Sequence, residues 1–194
     1  MEELFEPTAH NALFVLVTLL WWAEFIIFPS RMSSRPQREG KRSYRLIFLA
    51  VSFTVASSLL LYSMGIGSIA ATLAPVARTL GLAIYTSGLI LRYWSSVLLG
   101  REFTRGINAS DQLRLVGDGP YRILRHPLYL GLLLLTLGVP TFLGNFLGLA
   151  VGFVVMFVSL SRRIEVEEKQ LLATLGETYA EWMRGRYRLL PFIY

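Results

Sequence analysis

Two short polar stretches hold the residues best suited to chemistry. The first, residues 117–129, reads G-D-G-P-Y-R-I-L-R-H-P-L-Y. Gly119-Pro120 makes a turn, Tyr121 and Tyr129 supply aromatic faces, and Pro127 suits the first turn of a helix. The free N–H groups of such a helix start can bind an anion, for example a carboxylate. The second stretch, residues 162–172, reads R-R-I-E-V-E-E-K-Q-L-L. Arg163 and Glu167 are four apart and share a helical face. They lie at the edge of a long apolar run, where charge is costly and often functional. Glu165, Glu168 and Lys169 point elsewhere and read as the solvated side of the helix. The competing reading of Tyr121 and Tyr129 is an ordinary membrane-surface turn, since Tyr and Arg are common at that depth.

The elements that must position these residues are membrane helices. Of 194 residues, 54% are hydrophobic and only 16% charged, against about a quarter charged in soluble domains. A spanning helix takes about 20 apolar residues. Candidates run over 11–28, closed by Pro29, over 44–64, ended by Gly65 and Gly67, and over 75–99. The apolar run 128–160 is too long for one span and short for two. It is interrupted at Gly138-Val139-Pro140 and at Gly144-Asn145, which predicts a tight helical hairpin with its tip around 140–145. Residues 100–127, between the third span and the hairpin, are too long and polar for an idle connection. Beyond the hairpin, a polar helix ends at Gly176 as its C-cap. A short amphipathic segment, 177–183, and a basic, aromatic end follow.

The charge is +6, and its distribution orients the chain. All basic residues except Arg78 and Arg92 fall in three clusters, within 31–45, 101–125 and 162–188; the 65–74 loop and the hairpin tip have none. Positive charge collects on the cytoplasmic side. One topology satisfies every segment: N-terminus outside, three spans, a hairpin entering and leaving from the inside, and a cytosolic C-terminus. The expected fold is therefore all-α and polytopic, with five transmembrane helices and a cytosolic helical C-terminal segment. Residues 1–99 hold three spans and a basic cytosolic loop. Residues 100–194 hold both polar stretches, the hairpin and the C-terminal amphipathic segments and are the candidate catalytic half, and the two parts make one integrated domain. A tight hairpin returns the chain to where it left, so the two polar stretches should meet in space. Within the spans, Glu24 and Arg92 either pair with each other or Arg92 snorkels to the inner surface.

Composition excludes several classes. With no cysteine, disulfides, thiolate metal sites and thiol nucleophiles are absent. Two histidines, His10 and His126, argue against a histidine-rich metal centre, and no metal is expected. The basic clusters lie between apolar runs, where they meet phospholipid headgroups rather than nucleic acid. The acidic start (Glu2, Glu3, Glu6) has the wrong sign for a signal peptide.

The two stretches together resemble the isoprenylcysteine carboxyl methyltransferase family, among the integral-membrane methyltransferases that include phospholipid N-methyltransferases. The resemblance covers about 105–194. It rests on G-P-Y-x-x-x-R-H-P-L-Y-x-G at 119–131, R-x-x-x-E at 163–167, E-x-E-E-x-x-L at 165–171, G-E-x-Y at 176–179 and L-P-F-I at 190–193. It implies a cytosol-facing site for S-adenosylmethionine, with S-adenosylhomocysteine as product, reached from the bilayer by a prenylated cysteine or similar lipidic acid. The cofactor shell it implies is Leu113, Arg114, Leu115, Val116, Gly119, Pro120, Tyr121, Arg125, His126, Pro127, Leu128, Tyr129 and Glu167. Arg163 and Glu167 are the catalytic pair it implies, Arg163 taking the substrate carboxylate. Chemistry agrees: arginine binds a carboxylate bidentately and stays charged, and tyrosine faces attract a sulfonium.

Three other readings compete. An amine-lipid N-methyltransferase of the same fold needs a deprotonated amine beside an arginine. A membrane reductase using NADPH needs a nicotinamide cofactor, and the chain is short for that class. A transporter or scaffold finds no support in an internal repeat. Nothing in the sequence points to a particular oligomeric state.

Overall fold

The computed structural model describes residues 8–27, 38–100 and 115–194. Among them are six α-helices: α1 (Ala9–Ile27), α2 (Arg38–Ser63), α3 (Ala74–Gly100), α4 (Pro127–Phe142), α5 (Phe146–Leu175) and α6 (Glu177–Met183). Single 3-10 turns lie at Ala71–Leu73 and Gly119–Arg122. The described residues form no strand, only isolated bridges pairing Ser68 with Asn145 and Leu124 with Tyr187.

The expected spans at 11–28, 44–64 and 75–99 correspond to α1, α2 and α3. Among the described residues, the helical segments 45–63, 71–99 and 146–175 are long and apolar enough to cross a bilayer, and α4 is a shorter apolar helix. Large apolar side chains such as Leu13, Val15, Leu60, Ile90 and Val154 face outward. Water does not tolerate a continuous surface of that kind, and this is an integral membrane protein.

Between α4 and α5 the chain turns within Leu143–Asn145. Pro140 stays inside α4, so the tip is shorter than the expected 140–145. Gly144 takes φ 64°, a conformation cheap only for glycine. Asn145 then caps α5 by accepting from Gly148 N at 2.7 Å, and its amide donates to Ile66 O at 2.8 Å. The tip is thereby tied to the loop after α2. From there α5 runs unbroken through the polar stretch 162–172, so Arg163 and Glu167 ride on a rod anchored in the apolar layer.

Lipid offers no hydrophobic drive between helices, so close packing by small residues must hold them. α3 and α4 show this directly. A Cβ at Gly81 would collide with the Phe142 backbone, at Gly88 with the Gly131 carbonyl, and at Gly138 with the Tyr85 backbone. These glycines are seven apart on each helix (81 and 88, 131 and 138), so they return to one face every two turns. α4 serves both buried clusters. Leu133 joins Ile47, Ala50, Met156, Leu160, Ile164 and Leu189. Leu135 and Val139 join Val17, Tyr85 and Leu89. α1 packs on α3, and α2 packs on α5.

Candidate active site

Arg163 and Glu167 face inward from α5, and the first turn of α4 sets Tyr129 against them. The Tyr129 hydroxyl donates to Glu167 Oε2 at 2.5 Å and accepts from Arg163 Nε at 3.1 Å. Arg163 Nε stands 3.5 Å from the same carboxylate oxygen. Guanidinium can only donate and carboxylate can only accept, so the single phenolic proton must point to Glu167. Arg163 is buried, while the Glu167 side chain keeps 30% of its surface exposed.

One residue further round α5, Glu168 forms a second cluster. The expectation that it points to solvent is corrected: Glu168 is only 3% exposed. Its Oε1 lies 3.2 Å from Arg125 Nη1 and 3.4 Å from His126 Nε2, and its Oε2 lies 2.9 Å from Arg188. The reason is that the C-terminal segment folds back over this face. Arg125 N donates to Tyr187 O at 2.8 Å, His126 N to Arg188 O at 3.2 Å, and Tyr187 N to Ile123 O at 2.9 Å. Arg125 Nε bonds Arg186 O at 2.9 Å, and Arg186 Nε bonds Tyr121 O at 2.8 Å. Trp182 Nε1 adds a bond to Val116 O at 3.2 Å. The backbone of 116–126 is thus held by the chain's last residues, and the His126 ring stacks on Tyr129 at 5.6 Å.

A single cavity of about 1360 Å³ joins these groups to the apolar helices. Its polar end is lined by Leu115, Val116, Tyr121, Arg125, His126, Leu128, Tyr129, Arg163, Glu167, Tyr179 and Trp182. Its apolar limb runs between α1 and α2, past Phe14, Trp22, Ile26, Phe48, Val51, Val55 and Leu59. Arg92 lines the cavity too.

Most of the sequence-predicted site residues converge here. Gly119, Pro120 and Pro127 are not among the residues that line the cavity. Gly119, at φ 56°, lets the turn press on Trp94 and Leu98, Pro120 is buried, and Pro127 opens α4. Leu113 and Arg114 lie outside the described residues. Burial raises the Tyr121 hydroxyl well above its ordinary value of 10.0, and Glu167 adds to the shift. Tyr179 was not among the expected site residues. It is 1% exposed, and its hydroxyl has no hydrogen-bond partner among the described residues. Its signal was present in G-E-x-Y, where it reads as one more amphipathic position.

The family model for isoprenylcysteine carboxyl methyltransferases matches residues 80–173. The likeness to that family lies in this segment. The segment contains α4, Arg163 and Glu167 and stops short of Tyr179, Trp182 and Arg188. The chain is 35% identical over 115 residues to a probable protein-S-isoprenylcysteine O-methyltransferase of Oryza sativa subsp. indica, covering 58% of this chain and 60% of that one. It is 32% identical over 121 residues to the protein-S-isoprenylcysteine O-methyltransferase of Schizosaccharomyces pombe, covering 61% and 51%. The chain thus spans between half and two thirds of the length of these relatives. Its fold is similar to a solved structure of the eukaryotic intramembrane Ras methyltransferase, an isoprenylcysteine carboxyl methyltransferase, with a TM-score of 0.66 and 19% identity over 98% of this chain and 70% of that one.

Proposed function

We propose that this chain is an S-adenosylmethionine-dependent methyltransferase that forms a methyl ester on the carboxylate of an isoprenylated cysteine or a similar lipidic acid. One observation carries the proposal: a single cavity has the Arg163–Tyr129–Glu167 constellation at one end and an apolar limb between α1 and α2 at the other. The names of the relatives from rice and fission yeast point the same way.

The residues present fit the methyl donor. Glu167 suits its ammonium group, the rings of Tyr121 and Tyr129 suit a sulfonium, and the Tyr179 hydroxyl, without a partner among the described residues, offers a further polar contact. When bound, S-adenosylmethionine supplies an electrophilic methyl group and leaves as S-adenosylhomocysteine. Arg163 holds the acceptor carboxylate, which is ionised at neutral pH, so no general base is needed. The chain's own contribution is alignment and the exclusion of water. Tyr129 orients Arg163 through its Nε and directs its own proton to Glu167. Arg163 disfavours an amine acceptor, which would bring a second cation to the same place.

The proposed topology has five spans, with α4 and α5 as a hairpin, the N-terminus outside, and the site and C-terminus cytosolic. The two parts, 1–99 and 100–194, act as one unit because both line the cavity. The test is transfer of labelled methyl from S-adenosylmethionine to a farnesylcysteine analogue in detergent. Labelled ester is expected from the unaltered protein and a loss of at least 100-fold from Arg163→Ala and from Glu167→Ala. Unchanged turnover in both variants refutes the assignment.

A further inference from the structure

Glu24 and Arg92 are ionisable residues within apolar helices, 68 positions apart in the chain. They form a bidentate pair: Arg92 Nε donates to Glu24 Oε2 and Arg92 Nη2 to Glu24 Oε1, each at 2.7 Å. Glu24 is 4% exposed. A pair of charges at this depth needs its polar groups engaged, and the third guanidinium nitrogen is engaged as well. Arg92 Nη1 donates to the carbonyl of Leu128 at 3.2 Å. Leu128 is the second residue of α4, between His126 and Tyr129. The approach depends on Gly131, where a Cβ would sit 2.6 Å from Arg92 Cγ and 3.2 Å from its backbone nitrogen. The glycine leaves a notch through which the arginine stem crosses α4 and reaches back one turn.

We propose that Arg92, held by Glu24, is a positioning residue: it links α1, a wall of the apolar limb, to the first turn of α4, which carries Tyr129 and follows directly on His126. It does so through Leu128 and takes no part in the transfer itself. The inference rests on the proposed methyltransferase reading for its consequence in activity, but not for its structural content. α1 has other ties: Tyr93 to Leu20 O at 2.7 Å, Thr18 to Tyr85 at 3.1 Å, His10 to Thr79 at 3.2 Å, and Phe14 stacked on Tyr85 and on Phe142 at the far end of α4. Among these, none reaches the start of α4. Displacement of α1 by a lipid in the limb is therefore transmitted to the site through this pair.

Three variants separate positioning from simple bracing. Arg92→Lys keeps the charge but loses the fork. Glu24→Gln keeps an acceptor but loses the charge. The exchange Glu24→Arg with Arg92→Glu restores the attraction between α1 and α3, yet leaves no donor for Leu128 O. Amide hydrogen exchange at residues 128–131 is expected to speed up at least tenfold in Arg92→Lys and in the exchanged pair, relative to α2 and the middle of α5. The exchanged pair is expected to regain most of the thermal midpoint lost in Glu24→Gln. In the same samples, the KM for S-adenosylmethionine rises about tenfold with kcat changed less, since small misplacements at a site are costly. Exchange rates at 128–131 that match the unaltered protein in both Arg92→Lys and the exchanged pair overturn the proposal. So does full recovery of those rates in the exchanged pair, which would make the link a brace only. Faster exchange in a protein that transfers no methyl group upholds the positioning role and rejects the methyltransferase reading instead.

Discussion

The Tyr129 hydroxyl sits 2.5 Å from Glu167 Oε2, and its other bond comes from Arg163 Nε at 3.1 Å. A phenol placed this way bridges two opposite charges that i,i+4 spacing already brings to 3.5 Å. It leaves the carboxylate and the guanidinium each partly engaged and fixed in direction. Tyr129→Phe removes both bonds but keeps the ring that stacks on His126. Arg163 and Glu167 then close onto each other, and both turn away from their proposed ligands. We expect kcat/KM for methyl transfer to a farnesylcysteine analogue to fall about 10- to 100-fold, with the thermal midpoint within a few degrees of the unaltered protein. A variant with full activity would show that the orientation of this pair does not matter.

Much of this site can be read from the sequence, and the part that cannot has a physical cause. Helical periodicity places Arg163 and Glu167 on one face because that relation is local. The short helix α6 spans Glu177–Met183, as its composition between Gly176 and the basic end suggests. The pairing of Glu24 with Arg92 was one of two open choices. A charge held within lipid has few partners, and the structure selects that pairing. Glu168 was misread because its environment is not local. It stands about 100° round the helix from Glu167, a position that faces water unless something covers it. What covers it is the segment carrying Arg186 and Arg188, and those arginines alternate with Tyr187 in a period of two. Alternation over three residues is too short to announce a returning chain. The 3-10 turn at Gly119–Arg122 and its contact with Trp94 likewise depend on a helix far away in sequence.

The Glu168 cluster carries a stability prediction. Arg125, His126 and Arg188 converge on one buried carboxylate. Glu168→Gln leaves these cationic or protonatable groups facing one another without a counter-charge. Breaking a buried pair from one side costs about 3 kcal/mol or more, or roughly 10 °C of thermal midpoint for a chain of this size. The loss should appear first as release of the C-terminal segment, read as faster amide exchange at 187–188. Arg188→Met combined with Glu168→Gln should recover part of the loss. A Glu168→Gln variant as stable as the unaltered protein would mean that the cluster is solvated.

Tyr179 yields the opposite sign. Its hydroxyl is buried in a cavity wall without a partner among the described residues, and a buried polar group left unpaired is a cost. In the ligand-free protein, Tyr179→Phe should therefore be neutral or stabilising by about 1 kcal/mol. If the hydroxyl serves the methyl donor, the same change weakens S-adenosylhomocysteine binding by about fivefold, the equivalent of 1 kcal/mol. The two effects are read in one thermal-shift titration, as a higher starting midpoint and a smaller ligand shift. The pH dependence follows from the same burial. Loss of solvation, with Glu168 and Glu167 adding to it, raises the Tyr179 hydroxyl well above its ordinary value of 10.0. Above about pH 10 the unfolded chain releases this proton while the folded chain keeps it, so the unfolded state binds fewer protons and stability falls as pH rises. Midpoints measured from pH 8 to 11 should decline above 10 in the unaltered protein and decline less steeply in Tyr179→Phe. A lower midpoint at pH 8 together with an unchanged ligand shift would show instead that the hydroxyl serves the fold and not a ligand.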